Sequence, residues 1–278
     1  MTAQSMTPAA LFSLSGKTAL VTGGATGIGR MAAEGLAAAG ARVLIASRNA
    51  EACEAAADEL NALGLRGQAE GFGGDVASEQ GIAALVAGVG DRCDRLDILM
   101  NNAGTSWGTP LGAFPYSAWD RVMRVNVTGL FQLTQDLLPL LERAASDDDP
   151  ARVVNVGSVM GETPHGDRAY SYAASKAAVH HLTRILASEL AQRRITVNAL
   201  APGPFVSRMT AFATADEEVR SRVGAQVPLG RVGRPQDIAA AMQFLCGPGG
   251  AYVTGAILPL SGGINVETGP DLFQEAYE

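Results

Sequence analysis

Tyr172 and Lys176 stand four residues apart in "YSYAASKAAVHHLTRILASEL" (170–190), a stretch whose apolar period is that of a long helix. Four residues carry two side chains to one face, a turn apart. A tyrosine hydroxyl titrates near ~10, and an adjacent ammonium favours the phenolate. The pair therefore reads as an acid–base couple in which Lys176 lowers the tyrosine pKa. Tyr170 has Ala174 at the same offset, so Tyr172 is the reactive one. Upstream, "RVVNVGS" (152–158) ends in Ser158, fourteen residues before Tyr172. A hydroxyl there would polarise a substrate carbonyl while Tyr172 delivers a proton.

Such a constellation needs a rigid scaffold, and the chain has the rhythm of one. Runs rich in Val, Leu and Ile recur at "KTALVTG" (17–23), "RVLIAS" (42–47), "LDILMNN" (96–102), 152–158 and "ITVNALA" (195–201). Helix-period stretches separate them. "QAEGFGGDV" (68–76) and "AILPLSGG" (256–263) read as two further strands, which makes seven. Continuous apolar strands alternating with helices predict a doubly wound α/β fold with a parallel sheet buried on both faces. Long helices are expected over about 117–143 and 170–193. The 278 residues are read as a single domain, with a lead-in over 1–14, a small mobile substrate lid over about 204–230 and a tail over 266–278. Within the lid, "TADEEV" has a capping-box pattern from Thr214 to Glu217 and predicts a short helix.

"VTGGATGIGR" sets Gly23, Gly27 and Gly29 between the first strand and an alanine-rich helix, with Thr26 and Ile28 between the glycines. A pyrophosphate bound at a helix N-terminus requires such a tight turn, bare of Cβ atoms and with N–H groups aimed outward. The second strand ends in Ser47 and Arg48. An acidic residue at that end would grip a ribose diol; a serine and an arginine fork instead suit a 2′-phosphate, so NADP(H) is expected over NAD(H). Arg30 is read as a helix-face residue. Asp75 and Val76 after the third strand would meet the adenine, and Asn101, Asn102, Ala103 and Gly104 sit at the fourth strand's carboxyl end, where such sheets bind ligands.

Composition excludes other classes. A net charge of −7 provides no basic field for nucleic acid. Cys53, Cys93 and Cys246 have no metal-ligand spacing, and no other cluster implies a metal. The N-terminus lacks a basic, apolar leader and no window reaches spanning length, so a soluble cytoplasmic protein without membrane contact is expected. His180 and His181 are read as helix-face residues and His165 as a solvated loop residue beside the site. Trp107, Phe205, Met209 and Phe212 either line an apolar pocket or pack the lid to the body.

Taken in order, TGxxxGIG (22–29), NNAG (101–104), Asn126 in "VNVTG", Ser158, the Tyr172/Lys176 pair and "PG" at 202–203 resemble the short-chain dehydrogenase/reductases over residues 14–265. The resemblance implies a Rossmann-like fold and an NADP(H)-dependent enzyme interconverting a carbonyl and a secondary alcohol. Tyr172 would be the general acid/base, Lys176 would hold the nicotinamide ribose, Ser158 would bind the carbonyl oxygen and Asn126 would position a relay water through its helix. Val125 would contact the cofactor, and Pro202, Gly203, Phe205 and Ser207 would frame the carboxamide, with serine in place of the usual threonine at 207. "NNAGTSWG", "SRMT" (207–210) and the fourteen-residue Ser–Tyr interval are similar to the 3-oxoacyl reductases of rhamnolipid biosynthesis, implying a β-keto substrate. Alcohols, sugars and steroids remain open as substrates, and a non-catalytic dinucleotide-binding scaffold is the other class. Family assembly implies a homotetramer, or a homodimer, for which Leu130, Leu133, Leu137, Val179, Leu182 and Leu186 offer apolar faces. Finally, "ERAASDDDPAR" (142–152) places Asp147, Asp148 and Asp149 in a row, which is expected to repel an acidic acyl carrier protein.

Overall fold

The computed structural model describes residues 6–164, 168–206 and 216–266. Seven parallel strands run β1 (Thr18–Thr22), β2 (Arg42–Ser47), β3 (Ala69–Gly73), β4 (Ile98–Asn101), β5 (Ala151–Val156), β6 (Ile195–Pro202) and β7 (Ile257–Leu260), in the spatial order β3-β2-β1-β4-β5-β6-β7. The order reverses between β1 and β4. Loops leaving those two strands diverge to opposite faces and open a crevice at the strands' carboxyl ends.

The helices are a short α1 (Pro8–Leu11), then α2 (Gly27–Ala38), α3 (Ala50–Ala62), α4 (Glu79–Gly90), α5 (Tyr116–Met123), α6 (Leu130–Ala144), α7 (Tyr170–Leu190), α8 (Glu217–Ala225) and α9 (Pro235–Cys246). Strand side chains alternate between two layers. Val21, Ile45, Met100 and Val154 pack with Leu36, Leu60 and Met242 of α2, α3 and α9. Leu20, Leu44, Leu99 and Val153 face Leu85, Leu137 and Leu190 of α4, α6 and α7. Both faces are therefore dry, which is why the strands read as unbroken apolar runs.

Three expectations change. The helix predicted over 117–143 is interrupted by a π-helical turn, Arg124–Gly129, which carries Asn126. A 3.6-residue period cannot reveal one inserted residue, because the apolar face resumes after it. The lid helix begins at Glu217 with Asp216 as its cap, its carboxylate accepting from the N–H groups of Glu218 and Val219 at 2.9 and 3.0 Å. Thr214, the expected cap, lies outside the described residues. Finally, the acidic loop precedes β5, at the amino edge of the sheet, and β5 alone spans about 20 Å. Asp149 binds Lys17 at 2.6 Å and the buried Arg152 at 3.2 Å, and Asp147 pairs with Arg194. Two of the three charges are matched by neighbours, and the loop does not border the crevice. The expected repulsion thus loses its basis.

Candidate active site

At the β1–α2 junction, Gly23 and Gly27 take φ of +66° and +56°, which a side chain would strain. A Cβ on Gly29 would lie 2.5 Å from both Asn102 Nδ2 and the Gly23 carbonyl oxygen. The loop is held by Asn102, whose Nδ2 donates to the carbonyls of Thr22 and Gly23 at 2.8 and 3.1 Å. Thr22 Oγ1 in turn accepts from the N–H groups of Asn102 and Ala103, both at 3.0 Å. The Asn102 amide thus works inside the protein, as a strut. Thr26, exposed at the N-cap of α2, makes no side-chain capping bond, so the first N–H groups of the helix face outward. Bare main chain and a helix N-terminus together fit a pyrophosphate.

Ser47 ends β2 with its Oγ held by the Asn49 main chain, 3.2 Å from its carbonyl and 3.3 Å from its N–H, and 3.0 Å from Cys53 Sγ. Arg48 is exposed and has no hydrogen bond or ion pair among the described residues. Arg30 differs: it binds Glu59 at 2.7 Å. Past β3, Asp75 turns one carboxylate oxygen to the Ala77 N–H at 3.0 Å and Val76 is buried. Half-buried Ile28 and Val125 pack on the two core layers.

Ser158, Tyr172 and Lys176 converge past β5. Ser158 caps a short 3₁₀ turn, accepting from the Met160 N–H at 3.2 Å, and its hydroxyl faces the Tyr172 side chain closely enough to act on the tyrosine's pKa. Lys176 is buried, donates to the Val156 carbonyl at 2.6 Å and lies 5.4 Å from the Tyr172 ring centroid. Burial lowers its pKa to about 8. The same desolvation raises the Tyr172 pKa above its ordinary value, opposed in part by Ser158. The expected lowering by Lys176 is thus not found in the protein alone. The ammonium sits over the ring and is committed to a carbonyl, while desolvation of the hydroxyl is the larger influence on its pKa and Ser158 the opposing one. Tyr170 is 40% exposed and packs edge-on against Phe114 at 5.8 Å, away from this group.

Asn126 is buried. Its Nδ2 donates to the Thr105 carbonyl at 3.0 Å and to Ser175 Oγ at 2.9 Å, and its Oδ1 accepts from the Thr105 N–H at 2.8 Å. Ser175 then donates to the Tyr172 carbonyl at 2.7 Å. A Cβ on Gly104 would lie 3.4 Å from Asn126 Oδ1 and 3.8 Å from Lys176 Nζ, so the β4 exit loop closes against the site. Thr22, Thr105 and Ser175 went unassigned in the sequence; only their alignment with the Asn102 and Asn126 amides gives them roles.

Pro202 ends β6, and Gly203 is so close to Ser261 that a Cβ would lie 2.9 Å from its Cα. Phe205 is 2% exposed, with its ring against Gly233, and borders a cavity it shares with Pro204, Leu229 and Ser261. Trp107 is partly exposed and stacks with the Arg121 guanidinium at 5.0 Å. Ser207, Met209, Phe212 and His165 lie outside the described residues. His181 is exposed as expected, but His180 is buried beneath Ser158. Among the described residues no cluster could hold a metal ion and no helix is long and apolar enough to cross a membrane.

A glycine turn at a topological switch point, with a half-buried tyrosine between buried Ser158 and Lys176 across the crevice, defines a dinucleotide-dependent oxidoreductase. The short chain dehydrogenase family profile matches residues 17–218. The rhamnolipids biosynthesis 3-oxoacyl-[acyl-carrier-protein] reductase of Pseudomonas aeruginosa is 49% identical over 255 residues, covering 92% of this chain and 98% of the relative. Gluconate 5-dehydrogenase of Gluconobacter oxydans is 36% identical over 92% of this chain and 97% of its own length. The solved Pseudomonas aeruginosa RhlG/NADP active-site complex superposes with a TM-score of 0.88 at 49% identity, covering 94% of this chain and 100% of that one. The chain belongs to the short-chain dehydrogenase family and is an oxidoreductase.

Proposed function

We propose that the protein uses NADPH to reduce the keto group of a 3-oxoacyl (β-keto) thioester to a secondary alcohol, with Tyr172 as the proton donor. The observation that carries this reading is the convergence of Ser158, Tyr172 and buried Lys176, whose ammonium lies 5.4 Å from the Tyr172 ring centroid. Bound NADPH supplies the hydride. Gly23, Thr26, Gly27, Ile28 and Gly29 hold its pyrophosphate, Ser47 and Arg48 its 2′-phosphate, Asp75 and Val76 the adenine. Ala103, Gly104, Val125, Pro202, Gly203 and Phe205 would surround its nicotinamide half, Ser207, outside the described residues, is expected to join them, and Asn102 holds the loop in shape.

Reduction calls for an acid at the carbonyl oxygen, and a half-buried tyrosine with a raised pKa keeps its proton at neutral pH. Ser158 donates a hydrogen bond to the same oxygen, stabilising charge as it develops there. Lys176, poised near pH 8, binds the nicotinamide ribose and returns a proton to Tyr172. Asn126 would act from its π-helical turn, a geometry often found at functional sites, by helping to order a relay water. A sugar or other alcohol substrate is the second reading, favoured by the gluconate-oxidising relative.

The chain is read as one catalytic domain with a lid over 204–230, in a reducing cytoplasm that leaves Cys53, Cys93 and Cys246 as thiols. A homotetramer, or a homodimer, is supported by different residues from those expected. Leu130, Leu133, Leu137, Val179 and Leu186 are buried in this chain's own core, because they occupy the helix stripes that face the sheet. Among the large apolar side chains left exposed on α6 and α7 are Phe131 at 39% and Ile185 at 48%, which are open to a partner.

The test is NADPH oxidation across β-keto thioesters, simple ketones and sugars. Tyr172→Phe should abolish turnover with cofactor affinity within a few-fold, while Tyr170→Phe stays active. Substantial ketone reduction by Tyr172→Phe would overturn the assignment.

A further inference from the structure

We propose that His180 is a positioning residue that holds Ser158 in register with Tyr172, through a hydrogen bond to the serine's main chain. The inference rests on the roles given above to Ser158 and Tyr172. His180 lies one turn past Lys176 and two turns past Tyr172 on α7, and its side chain is 2% exposed. Its Nε2 accepts from the Ser158 N–H at 3.4 Å.

The surroundings are shaped to the ring. The segment Gly157–Glu162 wraps the imidazole with two glycines where it touches. A Cβ on Gly157 would overlap Nε2 and Cδ2, and one on Gly161 would lie 2.9 Å from Cε1 and 2.8 Å from the Lys176 carbonyl carbon. Gly157 is fixed from the other side by its N–H bond to the Leu200 carbonyl of β6 at 2.8 Å, and Gly161 donates to the Ser158 carbonyl at 2.9 Å. The turn that carries the serine therefore rests on one side chain of the helix that carries the tyrosine.

An acceptor at Nε2 places the proton on Nδ1, which faces the Glu162 carboxylate at 3.5 Å. The other charges facing the ring are Lys176 and Arg184 on the same helix. Burial and these two cations lower the imidazole pKa to about 4, so the ring is neutral and able to accept at physiological pH. Without it the Ser158 N–H, at a residue 6% exposed, would lose this partner. The cheapest relief is movement of the turn, and with it the hydroxyl.

Three variants separate the hydrogen bond from simple packing. A Gln at 180 can place its amide oxygen near the position of Nε2, whereas a Leu keeps bulk without an acceptor. His180→Gln should retain kcat within about threefold of the parent. His180→Leu should lose at least tenfold in kcat, with the KM for NADPH within about twofold. Hydrogen exchange of the 157–161 amides supplies a readout independent of turnover: protection kept in His180→Gln and lost in His180→Leu. The double variant Gly157→Ala/His180→Ala relieves the overlap but restores no acceptor, and should fold while remaining at least tenfold slow. Parental kcat in His180→Leu or in the double variant would overturn the proposal, as would equal loss of kcat and protection in His180→Gln and His180→Leu. A parent protein that fails to oxidise NADPH with any ketone, yet shows the exchange pattern, would instead refute the reductase reading.

Discussion

Removing the Arg48 side chain should weaken the use of NADPH and leave NADH nearly untouched. Arg48 follows the last residue of β2, is exposed and has no partner among the described residues, whereas Arg30 is already tied to Glu59 at 2.7 Å. A hydrogen bond to a charged group contributes about 1.5–3 kcal/mol. Solvent and salt screen an exposed pair, which lowers the expectation to about 1–2 kcal/mol. At about 1.4 kcal/mol per factor of ten, Arg48→Ala should reduce kcat/KM for NADPH roughly 5–30-fold. Ser47→Asp should go further and reverse the preference, because its carboxylate would face the 2′-phosphate and suit a ribose diol instead. The assay is kcat/KM with each cofactor at low and high salt, on one ketone substrate. The parent's preference for NADPH should shrink as salt rises. Equal kcat/KM for the two cofactors in the parent, or an equal loss for both in Arg48→Ala, would refute the reasoning.

His180 titrates near 4 in the fold against an ordinary 6.5, so between those values the unfolded chain binds a proton that the native chain does not. Stability should therefore rise with pH across that window by about 3 kcal/mol, and urea denaturation should show a flatter acid limb in His180→Gln. Lys176, lowered from 10.5 to about 8, has the same sign: stability attributable to it rises between pH 8 and 10.5, a slope that Lys176→Met should remove. Sedimentation at micromolar concentration should find a species larger than the 28.6 kDa chain, and Phe131→Asp with Ile185→Asp should shift it towards the monomer. A parent that sediments only as monomer would contradict the assembly.

The strands, the glycine turn and the placing of Tyr172, not Tyr170, beside Lys176 were legible in the sequence, for a shared reason. Each is a local relation: a run of apolar residues, a turn between two elements, or a four-residue offset that helix geometry converts into proximity. Even β3, diluted by glycine, followed from its place in the alternation. The order of the motifs added the rest, since a doubly wound sheet delivers successive strand ends to one crevice.

What the sequence determined by itself, then, is which residues the strand ends present to the crevice. Tertiary structure decided how those residues are held and charged. That Asn102 is a strut, that Asn126 grips Thr105 and Ser175, that Phe205 turns into the core and that His180 supports Ser158 all depend on contacts between segments 20 to 80 residues apart. The same holds for the acidic loop, matched by Lys17 from more than a hundred residues away. The direction of the Tyr172 pKa belongs here too. A neighbouring lysine can be read from spacing, but desolvation is set by everything that packs around the hydroxyl, and in this fold desolvation is the larger influence.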